Sequence, residues 1–156
     1  MISIPLGTQA RLAQVCIVTD DLEKTKVAYA FFLGKEAPPT VYSGDYSIAK
    51  TEYMGKPAPD CACDMAIFEL QEGVQLEVIR PRVRESEWGR FLAEHGEGLH
   101  HIAFRLHDIR SAIKRCEELG MKLTQFGYYC DGSGAYAYMD ARDTLKCTVE
   151  LLEDFK

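Results

Sequence analysis

Two stretches of this chain lie over one another. The run from Ala13 to Leu22 shares its plan with the run from His100 to Ile109, an offset of 87 residues. Duplication constrains a fold more than composition does. A module of one helix and a few short strands leaves a sheet face bare until a second copy covers it, so the two copies must pack together.

Each copy opens with a β-rich run and reaches an aspartate, Asp21 or Asp108, placed to cap the free N–H groups of a following helix. The second helix shows a stripe of Ile109, Ala112, Ile113, Cys116 and Leu119 at the spacing of one helical face. The first is less regular, and Leu22, Tyr29, Phe32 and Leu33 are its expected buried stripe. Gly34 and Gly120 stand just past the helix ends, where a left-handed cap favours glycine. Matching strands close the copies, Val74 to Ile79 and Cys147 to Leu152, now at an offset of 73 residues. The first copy is therefore about 14 residues longer, and the Gly44 to Cys63 stretch, rich in Gly, Pro and Tyr, is the simplest place for them.

The reading is one α+β domain over residues 1–156, made of two paired βαβββ modules at 10–82 and 97–153. A linker spans 84–96, and within it Ser86 to His95 reads as an amphipathic helix with Trp88, Phe91 and Leu92 on one side.

The chain has 156 residues and a formal charge of -6, which argues against nucleic acid as a partner, since such binding draws on basic patches. The one basic cluster, Arg80, Arg82 and Arg84, reads as solvated strand-end arginines. No apolar run approaches the roughly 20 residues of a membrane span. Met1 to Ala10 has no basic segment followed by an apolar one, so a cytoplasmic protein without an export signal is expected. The six cysteines lack paired CxxC spacing and read as reduced thiols, with Cys61 and Cys63 a lone CxC in a loop.

Strand alternation sorts the side chains. Val15, Ile17, Leu76, Val78, Ile102, Phe104, Val149 and Leu151 face the helices; Gln14, Glu77, His101 and Glu150 face the other way. The four are equivalent in pairs under the repeat, Gln14 with His101 and Glu77 with Glu150. Taken singly, each reads as a solvated residue. Together, two carboxylates, an amide and an imidazole at symmetric inward positions suggest a divalent cation holding them, because a carboxylate is expensive to bury alone. Oxygen-rich ligation with one imidazole suits Zn, Ni, Co, Mn or Mg.

These motifs resemble the vicinal oxygen chelate superfamily, which includes glyoxalase I, methylmalonyl-CoA epimerase, extradiol dioxygenases, and fosfomycin and bleomycin resistance proteins. The strongest marker is Gly98-Leu99-His100-His101-Ile102-Ala103-Phe104 with Asp108-Ile109 after it, which looks like the opening strand of the second module in methylmalonyl-CoA epimerases. The resemblance covers nearly the whole chain and implies a curved mixed sheet around a central cavity. It also implies His101 as a ligand, with Glu77 and Glu150 as the acidic ligands of the matching strands. The epimerases carry histidine where this chain has Gln14; the set Gln14, Glu77, His101 and Glu150 is instead that of eukaryotic glyoxalase I. An extradiol iron site, with two histidines and one carboxylate, is disfavoured. So is glutathione, for which glyoxalase I carries a basic residue where this chain has Val18. Some epimerases place a glutamate base on the strand before the first acidic ligand, a position that aligns with Ala66; Asp64 shares its parity.

The resemblance implies that the metal stabilises charge developing on a chelated carbonyl oxygen. Glu150 is the first candidate for the base that removes the α-proton, with Glu77 its symmetry mate. The expected activity is an epimerase or racemase acting on a small molecule, either an acyl-CoA or an aromatic α-chiral ketone such as an isoflavanone, and the expected assembly is a homodimer. Tyr42, Tyr46, Tyr53, Phe126, Tyr128, Tyr129, Tyr136 and Tyr138 fall in segments that line the cavity mouth in this family. The alternatives are a glyoxalase I-like lyase and a non-catalytic drug-binding protein of the bleomycin-resistance type. Gly132 to Gly134 reads as a mobile loop at the mouth.

Overall fold

The computed structural model describes residue 6 and residues 10–156. Most of the Met1 to Ala10 stretch, on which the reading about export rests, lies outside the described residues.

The first module contributes strand β1 (Arg11–Val18), helix α1 (Leu22–Leu33), the two-residue strand β2 (Val41–Tyr42), and strands β5 (Cys63–Gln71) and β6 (Val74–Pro81). Between β2 and β5 lie helix α2 (Tyr46–Ala49) and a small hairpin of β3 (Glu52–Tyr53) and β4 (Lys56–Pro57). Helix α3 (Glu87–His95) follows. The second module contains β7 (Gly98–Arg105), α4 (Ile109–Glu118), β8 (Lys122–Tyr128), β9 (Gly134–Asp140), the short α5 (Arg142–Leu145) and β10 (Thr148–Asp154). Among the described residues the ten strands form one open, curved sheet in the order β2-β5-β6-β1-β7-β10-β9-β8-β3-β4.

The repeat is visible in this order. β1 pairs parallel with β6, as β7 does with β10, and each of those pairs is flanked by an antiparallel neighbour. The modules meet along antiparallel β1 and β7, where Cys16 lies opposite His101 and Gln14 opposite Ala103. These two pairings exchange under the 87-residue offset, as symmetry about the seam requires. The extra residues of the first module do not extend its own edge. Glu52 and Tyr53 instead pair with Phe126 and Gln125 of β8, so the insert crosses to the other module.

Local chemistry explains the helices. Asp21 accepts a hydrogen bond from Lys24 N and Asp108 one from Ser111 N, each at 3.1 Å, which satisfies donors that a helix start leaves free. Gly34 ends α1 at φ 64°, a left-handed turn that glycine adopts without a Cβ penalty. On the outer face, α4 packs Ile109, Ala112, Ile113 and Cys116 against Val149, Leu151 and Met139. Under α1 lie Phe68, Leu76 and Val78, with Val15 and Ile17 beside them.

Two sequence expectations change here. Helix α1 buries Leu22, Lys26 and Ala30, whereas Phe32 is 81% exposed. Ten residues beyond Leu22, at 100° each, Phe32 has rotated off that face, and Lys26 takes the inner stripe with its ammonium on Glu23 and Thr40. On β5, Ala66 lies opposite Val78 and packs under α1, while Ile67 lies opposite Glu77. Directly paired residues share a face, so Met65 and Ile67, not Ala66 and Asp64, point with Glu77. Asp64 is held by Arg82 at 2.8 Å, with the Arg82 guanidinium over Tyr42.

Candidate metal centre

The inner sheet face is capped at one end by α3. Its sequence sends Trp88 and Phe91 onto Cys16, Val18, Ile79 and Tyr138, and Trp88 Nε1 donates to Tyr138 Oη at 2.9 Å. Beyond this plug lies a cavity of about 250 Å³ whose lining includes Gln14, Glu77 and Glu150 together with Met65, Ile67, Trp88, Tyr128, Tyr136 and Tyr138. Of the aromatics read as mouth residues, Tyr128, Tyr129, Tyr136 and Tyr138 line it; Phe126 packs beneath the outer helix. The Gly132 to Gly134 turn beside it is tied down, with Tyr129 N donating to Gly134 O and Phe155 N to Ser133 O. Cys61 and Cys63 are buried, and Cys61 Sγ donates to Gln125 Oε1 at 3.3 Å.

The register delivers the four inward residues to one place. Glu77 on β6 and Glu150 on β10 stand opposite Cys16 and Ala103, the central residues of the seam. Glu77 Oε2 lies 3.6 Å and Glu150 Oε2 2.9 Å from His101 Nε2. The three ligand atoms lie within 4.8 Å of one another. His101 is fully buried behind the cavity wall, and Gln14, Glu77 and Glu150 are buried around it.

These three atoms are also buried without a hydrogen-bond partner. The His101–Glu150 approach is short, and Glu77 Oε2 lies against the same ring nitrogen. Orphaned buried polar atoms are costly, and two carboxylates and an imidazole gathered at one place fit a divalent cation. Gln14, on β1 of the first module, lines the same cavity. Its amide nitrogen donates to Gln75 Oε1 at 3.0 Å, and Gln75 in turn donates to Glu69 at 2.5 Å. An ionised Glu69 can only accept, which fixes both amides and leaves the Gln14 carbonyl oxygen as the atom able to serve a cation.

Electrostatics follow from this crowding. Burial, then the nearby Glu150 charge, lifts Glu77 to about 7. Burial pulls His101 down, but the Glu150 carboxylate outweighs it and the imidazole ends above its usual range. Behind it, burial lowers His100 to about 4. Burial also raises Glu87, but its bonds and attraction to His100 and Arg90 prevail and hold it at about 2. A second grouping joins Cys16 with His100 and His101. Burial raises the Cys16 thiol, which keeps it protonated and a poor ligand.

Strand parity places Gln14, Gln75, Glu77, His101 and Glu150 on the inward face, but not Glu87, Trp88 or His100 around them. The adjacent histidines carried a signal, since alternation sends His100 to the opposite face from His101. A bulge in the β1–β7 pairing beside Cys16 and His101 accompanies the turning of both rings into one buried cluster.

The paired-module sheet thus carries Gln14, Glu77, His101 and Glu150 at symmetric inward positions. The chain belongs to the Glyoxalase/Bleomycin resistance protein/Dioxygenase superfamily, whose family model matches residues 13–138. Solved structures share the fold. A hypothetical protein from Bacillus halodurans aligns with a TM-score of 0.67 at 20% identity, covering 96% of this chain and 97% of its own. Methylmalonyl-CoA epimerase from Mycobacterium tuberculosis gives 0.66 at 19% identity, over 100% of this chain and 94% of that one. The Streptomyces coelicolor methylmalonyl-CoA epimerase in complex with 2-nitronate-propionyl-CoA gives 0.64 at 20% identity, over 92% and 96%. No curated protein sequence matches the chain. No helix among the described residues is long and apolar enough to cross a membrane.

Proposed function

We propose that this protein is a divalent-cation-dependent epimerase or racemase that exchanges the proton α to a carbonyl. The observation that carries the reading is the convergence of Glu77 Oε2, His101 Nε2 and Glu150 Oε2, buried and unpartnered, at an aromatic-walled cavity.

Gln14, Glu77, His101 and Glu150 would hold the cation, which supplies Lewis-acid stabilisation of negative charge on the substrate oxygen. The protein's own groups do the rest. Glu150 takes the α-proton, and Glu77, arriving from the other module, returns one to the opposite face. Inversion at carbon needs two such groups. The apolar wall limits water at the carbanionic carbon, which strengthens the electrostatic terms.

Trp88, Tyr128, Tyr129, Tyr136 and Tyr138 around the cavity favour an aromatic α-chiral ketone of the isoflavanone kind. The second reading is an acyl-CoA, favoured by the fold shared with an epimerase solved in complex with methylmalonyl-CoA and NH4+.

The deciding experiment is metal analysis of purified protein, followed by deuterium uptake in D2O over isoflavanones and chiral acyl-CoAs. Cation-dependent exchange on one of the two substrate classes is expected. Absence of exchange on both sinks the enolisation reading, and tight drug binding without bound metal would favour the non-catalytic alternative.

A further inference from the structure

The cation focus uses only one ring nitrogen of His101. The other, Nδ1, faces Nδ1 of His100 at 2.8 Å, and Nε2 of His100 faces Glu87 Oε1 at 3.4 Å. All three residues are essentially sealed from solvent. Glu87 is gripped from the outside: Arg90 donates to its Oε2 at 2.6 Å, and Thr148 Oγ1 donates to its Oε1 at 3.3 Å.

This chain of contacts has only one consistent polarity. A neutral imidazole carries a proton on one nitrogen and a lone pair on the other, so two facing nitrogens bond only when one supplies each. Glu87, held by two donors, offers acceptor oxygens alone. His100 must then protonate its Nε2 and present a lone pair at Nδ1. His101 must in turn protonate Nδ1, so that its neutral form, the one able to ligate, carries the Nε2 lone pair facing Glu77 and Glu150. Outer partners of this kind orient ligating histidines and raise their basicity.

We propose that Glu87 and His100 are positioning residues that lock His101 in the tautomer able to ligate through Nε2. The carboxylate at the start of the linker helix thereby sets the ligand polarity of a site carried by the sheet. The metal arm of this inference rests on reading the quartet as a cation site; the tautomer arm rests on hydrogen bonding alone.

The test combines 15N NMR of the histidine rings, in chelator-treated protein at alkaline pH, with zinc titration against a chromophoric chelator. Wild type should show His100 protonated at Nε2 and His101 at Nδ1. In Glu87→Gln, Arg90 keeps the side-chain oxygen and the new NH2 group turns to His100. Both ring protons should then move to the other nitrogen, and zinc affinity should fall by about 10- to 100-fold. His100→Asn keeps an acceptor near the Nδ1 position and should stay within about threefold of wild-type affinity, whereas His100→Leu should match Glu87→Gln. The His100 pair decides the question should Glu87→Gln not fold, since equal affinities of the Asn and Leu variants would overturn the proposal. A His101 proton on Nε2 in wild type would overturn it as well. Should wild type bind no zinc while Glu87→Gln still moves the protons, the cation reading fails and the relay stands.

Discussion

Glu77 and Glu150 approach His101 Nε2 from opposite modules, their Oε2 atoms 3.6 and 2.9 Å away. Without a cation these carboxylates repel, and Glu77, lifted to about 7 by burial and then by the Glu150 charge, holds its proton more tightly folded than unfolded. A raised carboxyl contributes stability that is fully present at low pH and is lost as pH rises from its unfolded value through its folded one. Glu77→Gln removes that loss. In chelator-treated protein near pH 8.5, the variant should be more stable than wild type by an amount on the order of 3 kcal/mol, the worth of a shift this large. Near pH 5 the gap should shrink to under about 1 kcal/mol. Denaturant melts at the two pH values measure it, and an equal gap at both would show that Glu77 is not the strained carboxylate.

A cation placed at this focus should reverse the penalty. Zinc at about one hundred times its dissociation constant should stabilise wild type by about 2.7 kcal/mol, as mass action requires of a ligand that binds only the folded state. His101→Leu should gain nothing. Thermal shift with and without zinc reads the difference, and an equal shift in both proteins would place the ion elsewhere.

How much of this was legible in the sequence depends on whether symmetry carried the information. Gln14 with His101 and Glu77 with Glu150 could be paired from two offsets, because strand alternation fixes a face and the repeat fixes a partner. Ala66 went astray for the same reason: β5 aligns poorly with its counterpart, and a slip of one residue exchanges Ile67 for its neighbour. Phe32 misled because α1 carries aromatics on two faces, and its inner stripe includes a lysine whose burial depends on Glu23 and Thr40. Glu87 was invisible. It lies in the linker, outside the repeat, and only tertiary packing of α3 brings it to His100.

The proposed two-base mechanism separates the enantiomers. Each hand of an α-chiral ketone offers its proton to one carboxylate, so Glu77→Gln and Glu150→Gln should each slow proton removal from opposite enantiomers. The affected enantiomer should lose about 10²- to 10⁴-fold, the usual contribution of a positioned base. Deuterium uptake by each resolved enantiomer, followed by NMR, measures this. Equal losses for both enantiomers in one variant and none in the other would mean that one carboxylate serves both faces, and equal losses in both variants would mean that the two act through the cation rather than as opposed bases.

Gly89 ties the helix to the site. A Cβ there would run into Val83 O and the backbone of Arg84, rigid groups that have no side-chain end to swing aside. The φ at Gly89 is ordinary, so the demand is for space and not for a left-handed turn. Gly89→Ala must therefore force α3 apart from the backbone of Val83 and Arg84 that precedes it, and displace Glu87, Trp88 and Phe91. Overpacking of a rigid contact usually costs about 1–3 kcal/mol, and this one should reach the top of that range. The stability loss alone would identify a tight contact. The sharper expectation is that zinc affinity falls too, although Gly89 touches none of Gln14, Glu77, His101 or Glu150, because the displaced Glu87 no longer holds His100. Unchanged zinc affinity in a folded, destabilised Gly89→Ala would mean that the helix plugs the cavity without steering its histidine.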